Sequence, residues 1–146
     1  MKAKDYLSQA YKLNHRIDCK LRQTENLRDL ATRATASIHA ERVSGTKQRS
    51  PMENAIVKLI DLEHEINSDI DMLVDMKREI AVVISKLSSP SHKILLELRY
   101  LEGKTWDEIA KAMDYDLRWI YRLHGKALKE IEVQISDTPL KFTLGV

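Results

Sequence analysis

Three basic side chains near the C-terminus, Arg118, Arg122 and Lys126, stand four residues apart, and no acid lies between Leu117 and Lys129. At that spacing they form one ridge along a helix. An Arg guanidinium can donate bidentately to O6 and N7 of guanine, while Lys and Tyr more often reach phosphate. The outward set on such a helix is Leu117, Arg118, Trp119, Tyr121, Arg122, Gly125 and Lys126. Trp119 and Tyr121 can cover thymine methyl groups, or one of them belongs to the core. A basic row of this kind also occurs on solvated helices of small bundles. Its meaning therefore rests on the elements that hold it.

Those elements have the grammar of a helix-turn-helix, in which the second helix enters the DNA major groove. Thr105 and Glu108 form a capping box that starts a short helix ending at Met113. Asp114-Tyr115-Asp116 is a three-residue turn, and Asp116 can cap a final helix running from Leu117 to about Ile135. Upstream, Pro90–Glu102 repeats apolar residues at Ile94, Leu95, Leu98 and Leu101, with Ser89 as the cap and Gly103 as the stop. The expected core of this unit is Leu95, Leu98, Ile109, Ala110, Met113, Ile120, Leu123, Ala127 and Leu128. Ala110 is small enough for the last two helices to cross closely.

The first 89 residues read as a long helical hairpin or coiled coil. From Lys4 to Ala40 there is neither Pro nor Gly, and Leu13, Ile17, Leu21, Leu27, Leu30 and Ala34 share one side of a helix. A polar stretch, Val43–Ser50 with Gly45, reads as a loop. Ser50-Pro51-Met52-Glu53 then combines an N-cap, a first-turn Pro and a capping-box Glu. Met52, Ile56, Leu59, Ile66, Ile70, Leu73, Ile80, Ile84 and Leu87 follow heptad steps, with Glu63 and Lys77 in two slots of the same seam. The first helix folding back, or a partner chain, can close that seam, so a homo-oligomer through residues 52–87 is one expectation. The expected organisation is an arm over 1–89, a DNA-binding domain over 90–135 and a loose tail over 136–146.

Residues 1–50 carry 11 Lys/Arg against 5 Asp/Glu, and residues 51–89 carry 4 against 8. That division suits two helices lying against each other, or simply solvated faces of mixed charge. The net charge of +2 is too small to argue for nucleic acid alone. The five His are scattered, without His-Glu-x-x-His or Cys-x-x-Cys spacing, and Cys19 has no neighbouring His. No enzyme, metal or cofactor is expected. A single Cys, no apolar run of about 20 residues and no signal-like opening suggest a soluble, intracellular protein with no membrane partner.

The stretch Leu98-Arg99-Tyr100-Leu101-Glu102-Gly103-Lys104-Thr105-Trp106-Asp107-Glu108-Ile109-Ala110, followed by Leu117–Leu128, resembles region 4 of sigma-70-type factors. The resemblance covers about 40 residues and is shared by many bacterial regulators. It implies an all-α fold and base or phosphate contacts from Leu117, Arg118, Trp119, Tyr121 and Arg122, with Lys104 and Thr105 near the DNA backbone. Two positions depart from that pattern: Asp114 stands where Gly is usual, and Gly125 where Ala is common. No upstream segment resembles the promoter-melting region of a full sigma factor. With its long helical first half, the chain is similar to phage late-gene activators of the ArpU and RinA type, through Trp119–Leu128 above all. That implies double-stranded DNA and host RNA polymerase as partners. Two other readings stay open: a phage small terminase subunit, which also joins such a motif to long oligomerising helices, and a sigma-region mimic acting as an adaptor on polymerase.

Overall fold

The computed structural model describes residues 2–38 and 50–143, the side chains of 34–38 excepted. Within these residues the chain is all-helical and contains no strand. Helix α1 spans Ala3–Ile38 and α2 spans Pro51–Ser85. Helix α3 covers Pro90–Leu96 and continues through one π-helical turn, Glu97–Leu101. Helices α4, Trp106–Met113, and α5, Leu117–Asp137, complete the chain. The expected loop from Val43 to Arg49 lies outside the described residues. Two compact units emerge, one of residues 1–13 and 72–146, the other of residues 14–71, so each long helix contributes to both.

In the 14–71 unit, α1 and α2 are joined by ion pairs of opposite chain direction. Lys20 Nζ lies 2.6 Å from Asp69 Oδ2 and 3.7 Å from Glu65 Oε2, and Arg28 Nη2 lies 3.3 Å from Glu63 Oε1. The attraction anticipated between a basic first helix and an acidic second one is thus realised at named residues. The Lys20–Asp69 pair is largely shielded from water, whereas Arg28–Glu63 is exposed and contributes little. Ile17, Thr24, Ala55 and Ile66 are buried here. Thr24 is satisfied within its own helix, its hydroxyl donating to the Lys20 carbonyl.

The apolar rows differ from those expected. On α1, Leu21 and Leu30 are 45% and 54% exposed, and Lys20 and Thr24 take the intervening inward positions. Along α2 two heptads share Leu59, Ile66, Leu73 and Ile80. The inward one is completed by Ala55, Leu62, Asp69, Met76 and Val83, not by Ile56, Glu63, Ile70 and Lys77, although Ile84 of the expected seam is fully buried near the end of the helix. Ile56 and Ile70 remain 41% and 42% exposed. The charged slots Glu63 and Lys77 therefore stand beside the seam, where no deep burial of a lone charge is required. The one charge on the seam, Asp69, is neutralised by Lys20.

The other unit is the better packed. Tyr6, Leu7, Ile80, Ile84, Leu95, Leu96, Ile109, Ile120 and Ile131 are all but fully buried. Tyr6 donates its hydroxyl to Glu79 Oε2 at 2.9 Å. Glu79 also accepts from the Lys141 and Phe142 amides, and Gln9 Nε2 donates to the Phe142 carbonyl at 2.9 Å. These bonds hold the described part of the tail. Burial and the Glu79 carboxylate together drive the Tyr6 hydroxyl pKa far above its ordinary value, so Tyr6 stays a donor at any ordinary pH.

Helix ends follow the local sequence. The Glu53 amide donates to Ser50 Oγ at 3.1 Å, and the Glu108 amide to Thr105 Oγ1 at 3.2 Å. Ser89 and Asp116 occupy cap positions with extended backbone, but neither side chain makes a capping hydrogen bond. The Lys93 and Ile120 amides bond their backbone carbonyls instead. Gly103, at φ +72, ends the π-helical turn as the Lys104 amide returns to the Leu98 carbonyl.

Candidate nucleic-acid interface

The turn between α4 and α5 is built by a residue that rarely takes its conformation. Asp114 lies in the left-handed region, φ 55 and ψ 46. Its amide donates to the Lys111 carbonyl and the Tyr115 amide to the Ala110 carbonyl, the pair of bonds of a Schellman ending. Gly does this at least cost, and Asp is among the few other residues that tolerate it. The departure at Asp114 therefore leaves the turn geometry intact and only places a carboxylate there.

Helix α5 leaves this turn with Ile120, Leu123, Ala127 and Ile131 inward. Its opposite face carries Arg118, Arg122, Lys126 and Lys129, all exposed. At about 1.5 Å per residue the row from Arg118 to Lys126 is about 12 Å long. Trp119 and Tyr121 are 40% and 50% exposed, so neither is a core residue. Lys126 Nζ sits 5.5 Å from the centre of the Trp119 ring, a cation–π contact that keeps the indole beside the basic row. Leu117 is half-buried at the start of the helix. Gly125 is exposed, and a Cβ built on it would meet nothing within 4 Å. Lys104 is exposed, while the Thr105 hydroxyl is engaged as the α4 cap. The structure thus gathers Arg118, Trp119, Tyr121, Arg122 and Lys126 onto the outside of one helix.

Behind that helix is a cluster the sequence did not announce. Trp106, the first residue of α4, packs edge-on against Tyr121 at 5.4 Å and against His124 at 4.6 Å between ring centroids. Arg99 lies over the other part of the cluster, its guanidinium carbon 4.5 Å from the Trp106 ring centre, and donates to the Lys104 carbonyl at 3.0 Å. The Tyr100 hydroxyl is 2.7 Å from His124 Nε2. Burial pushes the Tyr100 pKa up to about 12, against the opposing influence of Arg99. Burial also pulls His124 down to about 4, helped by the positive charges of Lys4 and Arg99. Both directions give the same assignment: the Tyr hydroxyl donates and the neutral imidazole accepts. A further link, His92 Nδ1 to Glu130 Oε1, ties α3 to α5. Together these contacts fix the direction in which α5 presents its basic face.

Among the described residues no group of His, Cys, Asp or Glu is placed to hold a metal, and no helix is long and apolar enough to cross a membrane. Over the described residues the chain is all-helical, and a short capped helix, a left-handed turn and a basic-faced helix follow one another in sequence. Residues 33–132 match the family described as a protein of unknown function, DUF1492, and the chain belongs to that family. The matched span includes all of α2, α3 and α4 and most of α5. No curated protein and no solved structure matches the chain.

Proposed function

We propose that this chain is a sequence-specific DNA-binding regulator of transcription, a helical hairpin joined to a sigma-region-4-like helix-turn-helix. The observation that carries the reading is the stretch of α5 from Leu117 to Lys129, which holds no acid and exposes Arg118, Arg122 and Lys126 in one row. That row follows a turn whose left-handed residue is held by two backbone bonds. In this reading α5 lies in the major groove, Arg118 and Arg122 address base edges, and Lys126 and Tyr121 reach phosphate. Leu117 and Trp119 supply apolar contact to thymine methyls. Lys104 stands at the entrance of α4, near the DNA backbone, and Thr105 is there through its cap. Trp106, Tyr100 and His124 act from behind, setting the angle of α5.

In this reading, supported by the resemblance to ArpU and RinA-type activators, such binding occurs at phage late promoters in the bacterial cytoplasm, together with host RNA polymerase. Selection of bound duplexes from a random pool tests the reading. A short enriched motif, bound with an affinity that falls steeply as salt rises, is expected. A pool that stays random after selection contradicts it.

A further inference from the structure

We propose that the chain forms a two-fold symmetric dimer in which α2 pairs antiparallel with α2 of a second copy. The face concerned is the one beside the inward seam. Ile56, Ile60, Ile70 and Val74 recur there at heptad spacing and remain 41%, 48%, 42% and 43% exposed. Four large aliphatic side chains in register on one helix form an apolar stripe without a covering element among the described residues. Because α2 is uninterrupted from Pro51 to Ser85, its periodicity alone puts them on one side.

What identifies the occupant is that the stripe is complementary to itself when reversed. In a two-fold interface, if residue i meets residue j of the partner copy, j also meets i. One antiparallel register sets Ile60 against Ile70 of the second copy and Ile56 against its Val74. The same register sets Glu63 against Asn67, whose amide can donate to the carboxylate. At the ends it sets Glu53 against Lys77, opposite charges. Acid meets base or amide, and aliphatic meets aliphatic, at every level.

Neighbouring arrangements fail. Sliding by one heptad in one direction puts Glu63 on Ile60 and Glu53 on Ile70; sliding in the other puts Lys77 on Ile60 and Glu63 on Val74. A parallel pairing opposes Glu63 to Glu63 and Lys77 to Lys77, which repel. The exposed Arg28–Glu63 contact, at 3.3 Å, occupies one carboxylate oxygen and leaves the other for Asn67. From Glu53 to Lys77 the stripe is about 36 Å long at about 1.5 Å per residue. It is also narrow, so the dimer is expected to dissociate on dilution. The proposal is independent of DNA binding.

The test is sedimentation of the full chain over a range of concentrations. Wild type should approach twice the 16.9 kDa chain mass as concentration rises. Ile60→Glu, at a position 48% exposed in the monomer, should raise the dissociation constant at least about tenfold, with an unchanged helical circular dichroism spectrum showing that the chain still folds. Lys77→Glu should weaken the dimer several-fold, and adding Glu53→Lys to it should restore much of the loss, which a merely structural role would not do. In a Cys19→Ser background, Ile60→Cys combined with Ile70→Cys should yield disulfide-linked dimers on mild oxidation, whereas Ile60→Cys alone should not. A wild type that stays monomeric, a ring of more than two copies, or ready cross-linking by Ile60→Cys alone would overturn the proposal.

Discussion

Acidification should loosen the seat of α5 through His124, independently of the carboxylates. The ring accepts from Tyr100 at 2.7 Å and is packed against Trp106. Burial, with Lys4 and Arg99 nearby, lowers its pKa from 6.5 to about 4. In the unfolded chain the same imidazole takes up a proton near its ordinary value, so the unfolded state binds more protons between the two values. Stability from this group is therefore complete above pH 6.5, is lost as pH falls through that window, and falls no further below pH 4. At about 1.4 kcal/mol per pKa unit the full shift would be worth roughly 3 kcal/mol. The ring is only part-buried, and solvent screening reduces this to about 1–2 kcal/mol. The assay is urea unfolding followed by helical circular dichroism, on wild type and His124→Gln, at about pH 7 and about pH 4.5. Glutamine keeps a polar group and never charges, so the difference between the two proteins isolates the histidine. Wild type should lose about 1–2 kcal/mol relative to the variant on acidification. A flat difference, or one in which wild type gains in acid, would refute the buried neutral imidazole.

Other substitutions probe the turn, the helix and the tail. Asp114→Gly removes the left-handed strain of φ 55 and should raise stability by up to about 1 kcal/mol in thermal unfolding; it should also tighten DNA binding by removing an acid from the turn. Gly125→Ala should add up to about 1 kcal/mol, because the new methyl meets nothing within 4 Å and Gly is a poor helix former. Glu79→Ala strands the buried Tyr6 hydroxyl and should cost about 1–3 kcal/mol, with faster hydrogen exchange at the Lys141 and Phe142 amides as the local readout.

Features set by neighbours in the chain were legible in the sequence. The caps at Ser50 and Thr105, the stop at Gly103 and the inward residues Ile109, Ile120, Leu123 and Ala127 depend on local backbone chemistry and a 3.6-residue period. The choice of seam on α2 was not, because two heptads share Leu59, Ile66, Leu73 and Ile80, and only the position of α1 decides which side is covered. The inward places of Lys20 and Asp69 were hidden for a related reason: each charge looks solvent-facing until its partner, 49 residues away, is known. Leu96, Tyr100 and Ile131 joined the core without being expected there. Tyr100 in particular presents a polar tip in sequence, and its partner His124 lies 24 residues on. The basic row was readable; the aromatic and His cluster that aims it was not.

Fluorescence anisotropy on the duplex selected from the random pool tests most directly whether the α5 face reads DNA. Wild type should bind it more tightly than a scrambled duplex, and Arg118→Ala or Arg122→Ala should each weaken that binding by about 1–3 kcal/mol while leaving the helical content unchanged. The two variants should also lose discrimination between the selected and scrambled sequences. Binding by the double Arg118→Ala, Arg122→Ala variant as tight and as selective as wild type would contradict the account.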